Sequence, residues 1–89
     1  MQIIPCDTVG SHRTGRIENI TVKEVNDILG FESNIDDDPD KVVNSWGFKA
    51  MGQKCAIWDY KGSHKYKQFS TYGSHEVFSM LFGNRYVSE

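Results

Sequence analysis

Apolar positions recur along the chain with two different periods, and the change between them marks its elements. Val22, Val25, Ile28 and Leu29 fall on one face of a 3.6-residue repeat. Thr21, with Glu24 three positions later, forms a capping box in which each side chain satisfies a free backbone donor. Gly30 stands where a left-handed terminal residue belongs, and Phe31 follows as a hydrophobic contact beyond it. The spacing predicts a helix over 22–29 within segment 21–30. After an acidic stretch the period becomes two. Val42, Asn44, Trp46, Phe48 and Ala50 share one face, and Val43, Ser45, Gly47 and Lys49 the other. Met51-Gly52 reads as a turn and Lys54–Tyr60 as the returning strand. Pairing Ala50 with Gln53 sets Phe48 opposite Cys55, Trp46 opposite Ile57 and Asn44 opposite Asp59. Trp58 and Tyr60 then take the face away from the core, although a three-residue turn would shift every pair.

A polar connection over 61–64 leads to a third strand, Lys67–Tyr72, which Gly73 ends. Ser74 then caps a helix over 74–83 whose Val77, Phe78, Leu81 and Phe82 share a face. Tyr86 and Val87 belong to a short tail. Ahead of the first helix, residues 1–20 read as a short strand, Gln2–Ile4, ended by Pro5, and a polar loop from Cys6 to Gly15. Arg16–Ile20 alternates only loosely and is a candidate for a further short strand. The expected fold is α+β: an antiparallel meander of three strands over 42–72, four with the N-terminal one, and two helices on one face. The order is (β)-α-β-β-β-α, in a single domain over 1–89.

Composition narrows this picture. With 38% hydrophobic and 25% charged residues and a mean hydropathy of −0.52, the chain is neither low-complexity nor collagen-like. It has no apolar run long enough to span a membrane. Its first residues lack the charged and apolar regions of a signal peptide, which predicts a cytoplasmic protein. Cys6 and Cys55 are then expected as free thiols. The net charge of −2 conceals an asymmetry. Residues 1–45 carry four basic and nine acidic side chains, and residues 46–89 six and three. Such halves either steer a charged partner or attract each other within the domain.

Pro39-Asp40 and, after 18 intervening residues, Asp59-Tyr60-Lys61 resemble the PD-(D/E)xK motif of metal-dependent nucleases. The resemblance implies that Asp40 and Asp59 hold Mg²⁺ while Lys61 orients a water, with Glu24 or Asp27 of the first helix as a further acid. Period two would put Asp59 and Lys61 on one strand face. The competing account has Asp59 and Lys61 as solvated strand-end residues and Asp40 as a turn residue. Asp36-x-Asp38-x-Asp40 lacks the glycine and bidentate glutamate of a calcium loop and reads as an exposed acidic turn. Lys61, Lys65 and Lys67 interleave with Tyr66, a pattern that suits single-stranded nucleic acid but equally an ordinary charged edge. His12, His64 and His75 have no metal-ligand spacing. Large aromatics are denser between Trp46 and Phe82 than one sheet face needs, so some should be exposed as interface anchors.

The run Asp38-Pro39-Asp40-Lys41-Val42, then Trp46-Gly47-Phe48, Ala56-Ile57-Trp58-Asp59-Tyr60-Lys61-Gly62-Ser63, Phe69-Ser70-Thr71-Tyr72-Gly73 and Leu81-Phe82-Gly83, resembles a group of small uncharacterised phage-encoded proteins. That resemblance implies a binder of host proteins, including defence systems. The first expectation is therefore an interaction protein without a cofactor, inhibiting or modulating a host protein. Trp58, Tyr60 and Tyr66 would anchor the partner, with Lys61, Lys65, Lys67, Asp36, Asp37 and Asp38 steering it; nucleic acid is the less favoured partner, and a homodimer stays open. The alternative is the minimal nuclease, with Mg²⁺ its only cofactor. A third reading is a sponge for a nucleotide signal.

Overall fold

In a computed structural model, residues 1–8, 12–35 and 44–89 are described. They form a six-stranded antiparallel sheet and two helices: β1 (Ile3–Pro5), β2 (Gly15–Glu18), α1 (Val22–Leu29), β3 (Ser45–Ala50), β4 (Gln53–Trp58), β5 (Gln68–Tyr72), α2 (His75–Phe82) and β6 (Tyr86–Ser88). The sheet order is β1-β3-β4-β5-β2-β6. The chain is thus α+β with the expected meander at its centre, but the sheet has six strands rather than three or four.

The additional strands come from segments whose own patterns are weak. Pro5 lies inside β1, pairing with Phe48, because an edge strand tolerates a residue without a backbone donor. β2 is inserted between β5 and β6, which hold it on both sides. β6 is built from the presumed tail. Its three residues become a strand because β2 already presents an unpaired edge, a long-range cause that local periodicity does not carry.

The hairpin register agrees with the sequence expectation: Ala50 pairs with Gln53, Phe48 with Cys55 and Trp46 with Ile57. Helix α1 has the predicted capping box, and Gly30 closes it at φ 87°. Residues 42 and 43, the expected start of the strand, lie outside the described residues, as do Asp36, Asp37, Asp38, Pro39 and Asp40.

One sheet face and both helices form a continuous core. Ile17, Trp46, Phe48, Cys55, Ile57 and Phe69 meet Val25 and Leu29 of α1 and Val77, Phe78 and Phe82 of α2. Trp46 is fully buried, and its indole N–H donates to Asn26 Oδ1 at 2.9 Å. The polar end of the largest core side chain is therefore satisfied rather than orphaned.

On the opposite face, among the described residues, the 6–8 segment closes over β3. A Cβ at Gly47 would lie against the Cys6 carbonyl and 2.6 Å from that of Thr8, so only glycine lets the 6–8 segment lie on the strand. Asn34 fixes the same point from the side, its amide accepting from Gly47 N–H at 2.9 Å and donating to the Gly47 carbonyl at 3.1 Å.

Candidate functional site

Beyond this small-residue strip the second face changes character. Strand alternation puts Trp58 of β4 and Ser70 of β5, which are paired, on the side away from the helices, and Arg16 of β2 stands opposite Ser70. Arg13, Trp58, Tyr60 and Ser70 line an open groove of about 300 Å³, the lower end of the range for ligand pockets. Trp58 is half-buried and Tyr60 is 45% exposed. Tyr72 lies on the same face of β5 and packs edge-on against His12, ring centroids 5.1 Å apart. Trp58, Tyr60 and Tyr72, aromatics outside the core cluster, lie on this side.

The charged wall is organised by one carboxylate. Arg13 holds Glu89 through Nε and Nη2, each at 2.8 Å. Arg16 Nη1 reaches the same carboxylate at 2.8 Å while its Nε pairs with Glu18. The hydrogen bonds from Arg13 and Arg16 hold the Glu89 carboxyl below its ordinary range. Arg13 Nη1 also reaches Ser70 Oγ at 3.4 Å, which ties the arginine to the groove floor. On the other rim, Lys61 Nζ sits 5.3 Å from the centre of the Tyr60 ring, within the range of a cation–π contact.

Asp59, between Trp58 and Tyr60 in sequence, does not join them. Strand β4 ends at Trp58, so Asp59 and Lys61 do not share a strand face; this corrects the expected strand end at Tyr60. The cause is local. Asp59 Oδ1 accepts from the Asn44 backbone N–H at 2.8 Å and Oδ2 from the Asn44 side-chain amide at 2.9 Å, while Asp59 N–H donates back to the Asn44 carbonyl at 3.1 Å. Lys61 and Gly62 then turn the chain at positive φ, 53° and 80°, into a 3₁₀ turn, Ser63–Tyr66. His64 Nδ1 lies 2.6 Å from Asp59 Oδ2.

Asp59 is consequently fully buried, not the solvated strand-end residue that one reading expected. Its oxygens face Asn44 and His64. Among the described residues no three His, Cys, Asp or Glu side chains gather as a metal-holding group. Glu24 is occupied elsewhere, closing the α1 capping box and pairing with Arg85 at 2.8 Å. Glu24 therefore does not join Asp59 and Lys61, and Asp40 lies outside the described residues.

Of the expected partner-binding residues, the structure brings Trp58, Tyr60 and Lys61 together. Tyr66 projects from the 3₁₀ turn at 78% exposure, and Lys65 and Lys67 are exposed beside it. Among the described residues none of Lys61, Lys65 and Lys67 forms an ion pair. Sequence reasoning missed Arg13, Ser70 and Glu89. Ser70 was legible in the alternation of β5, which places it on Trp58's face. Arg13 and Glu89 meet only because β6 pairs with β2, and no local signal announces that.

No helix of the described residues is long and apolar enough to cross a membrane. No family model, curated protein or solved structure matches the chain.

Proposed function

We propose that this domain is a binding module that docks a protein partner in the groove between Trp58 and Tyr60, and that it acts in the bacterial cytoplasm as a phage-type modulator or inhibitor of a host protein, defence proteins included. The observation that carries the reading is the open groove on the helix-free sheet face, lined by Trp58, Tyr60 and Arg13. These three residue types dominate binding energy at protein interfaces, because they bury much surface around few rotatable bonds or a rigid charged plane. The helix face is closed by its own core, so Trp58 and Tyr60 lie on the face where the described residues leave a groove. The sequence resemblance to small phage proteins supports the cellular setting.

Affinity capture from bacterial lysate tests the reading with Trp58→Ala and Tyr60→Ala against Met80→Ala, an exposed change on α2. The first two should lose the captured protein and the third keep it; equal capture by all of them rejects the groove as the docking surface. A nucleotide sponge draws on the same lining, since a base could stack on Trp58 while Arg13 meets a phosphate. Intact mass analysis of the purified protein under native conditions separates the two readings.

A further inference from the structure

The groove ends on a pair of arginines that already hold a carboxylate. Arg13 meets both oxygens of Glu89 at 2.8 Å, Nη2 through a hydrogen bond and Nε as an ion-pair contact, so its guanidinium spans a planar carboxylate. Arg16 Nη1 adds a second hydrogen bond to it at 2.8 Å. The clamp lies at the surface: Arg13, Arg16 and Glu89 side chains are 44%, 33% and 34% exposed. Through Ser70 it is continuous with the floor of the groove.

We infer that groove and arginine fork are one two-part site for an acidic peptide segment of the partner, in which a large apolar side chain enters between Trp58 and Tyr60 and an adjacent Asp or Glu carboxylate displaces Glu89 from Arg13. This rests on the protein-docking reading above. Glu89 is then an internal competitor, a carboxylate of this chain holding the place of the partner's. The exchange swaps one carboxylate for another on the same donors, so it carries little net desolvation cost, the term that usually limits charge pairing at an interface. Lys61, held over Tyr60, with Lys65 and Lys67 on the following turn, adds positive charge that no described carboxylate neutralises. The same balance argues against a nucleic-acid strand. Glu18 and Glu89 both sit on the arginines, so this wall offers a place for a single carboxylate rather than a track for successive phosphates.

The test is selection of a yeast-displayed random twelve-residue peptide library on the full chain, followed by affinity measurement of the enriched peptides. The expected consensus has Asp or Glu within a few positions of Trp, Phe or Leu. Trp58→Ala should abolish binding. Arg13→Ala, and also the charge-conserving Arg13→Lys, should weaken it about tenfold. Glu89→Gln should tighten it about threefold to tenfold, because the competitor is gone. Amide NMR spectra establish that each variant keeps the sheet, and the Arg13→Lys arm stands alone if Glu89→Gln frees β6. Peptides that need Trp58 but carry no acidic residue, or that ignore Arg13, overturn the carboxylate inference and leave the docking reading intact. No enrichment, or peptides indifferent to Trp58→Ala, overturns both. Tighter binding of a dT12 oligonucleotide than of any selected peptide also overturns the inference.

Discussion

The two tryptophans of this chain stand on paired strands of one hairpin and lead opposite lives. Trp46 of β3 is fully buried among Phe69, Ile57 and the helices, its ring edge-on to Phe69 at 5.6 Å and its indole N–H taken by Asn26. Trp58 of β4 is half-buried and lines an open groove. Residue type and hairpin are the same; the phase of the pleat differs. The lesson extends to the whole sheet. One face is filled by large apolar side chains and roofed by α1 and α2. The other starts with Gly47 beneath the 6–8 segment and continues into Trp58, Tyr72 and Arg16, which no helix among the described residues covers.

The sharpest way to break this comparison is to truncate both rings. Trp46→Ala should cost about 3–5 kcal/mol, the range for deleting a large buried aromatic. A chain of this length has roughly 4–13 kcal/mol in total, so the variant should be largely unfolded in urea titrations. Trp58→Ala should cost about 1 kcal/mol, since only part of its surface is withdrawn from water, while partner capture disappears. Equal costs for the two would mean that Trp58 is core and the groove incidental. Gly47→Ala comes next, at about 1–3 kcal/mol, because its methyl collides with the Cys6 and Thr8 carbonyls. Cys6 should then react faster with a thiol reagent as the 6–8 segment lifts. Cys55 should stay inert, its thiol pushed up by burial.

How far the two faces were legible beforehand follows from where their information lies. The core face was readable residue by residue: the alternation of Trp46, Phe48, Cys55 and Ile57, and the caps at Thr21 and Ser74, are local signals, and they fixed helix positions and hairpin register. The second face was half readable. Alternation alone pointed Trp58 and Tyr60 away from the core, but the wall that makes them a groove comes from Arg13 and Glu89, 76 positions apart. That contact depends on a sheet order in which β2 sits between β5 and β6, a consequence of global closure with no periodic trace in three- and four-residue strands. Asp59 shows the opposite failure. Its DxK triplet reads as chemistry, yet its partner is Asn44, the residue just ahead of β3 that the hairpin register sets opposite it.

Asp59 therefore supplies the next test. Asp59→Ala leaves the Asn44 amide donors and the His64 ring facing a gap, and should destabilise the fold by about 1–3 kcal/mol, the cost of unmet buried polar groups. Thermal melting measures this. In parallel, the wild-type chain incubated with DNA and RNA in Mg²⁺ or Mn²⁺ should leave them uncut. Cleavage by the wild type that vanishes in a still-folded Asp59→Ala would restore the nuclease reading and make the buried carboxylate catalytic rather than structural.

The smallest effect expected is electrostatic, and it compares the two faces once more. Glu24, held low by its hydrogen bond from Arg85 and by the Thr21 backbone, ties α1 to the segment following α2 on the helix side. Glu89, held low by Arg13 and Arg16, closes the groove side. A carboxyl whose folded value lies below its unfolded value of about 4.5 stabilises the fold fully above that pH and loses the contribution as pH falls through the lower folded value. Acid titration should therefore lower the melting temperature progressively below about pH 4.5. Glu24→Gln and Glu89→Gln should each flatten part of that slope, by small amounts because both carboxylates face solvent. The faces separate in fluorescence. Protonating Glu89 frees Arg13 beside the groove and should alter Trp58 emission before unfolding, and Glu89→Gln should already show that altered emission at neutral pH. Glu24→Gln should leave it unchanged, because Trp46, on the helix side, is sealed from solvent. An equal spectral response to both variants would mean that the two walls are coupled, and that the groove does not behave as an independent surface.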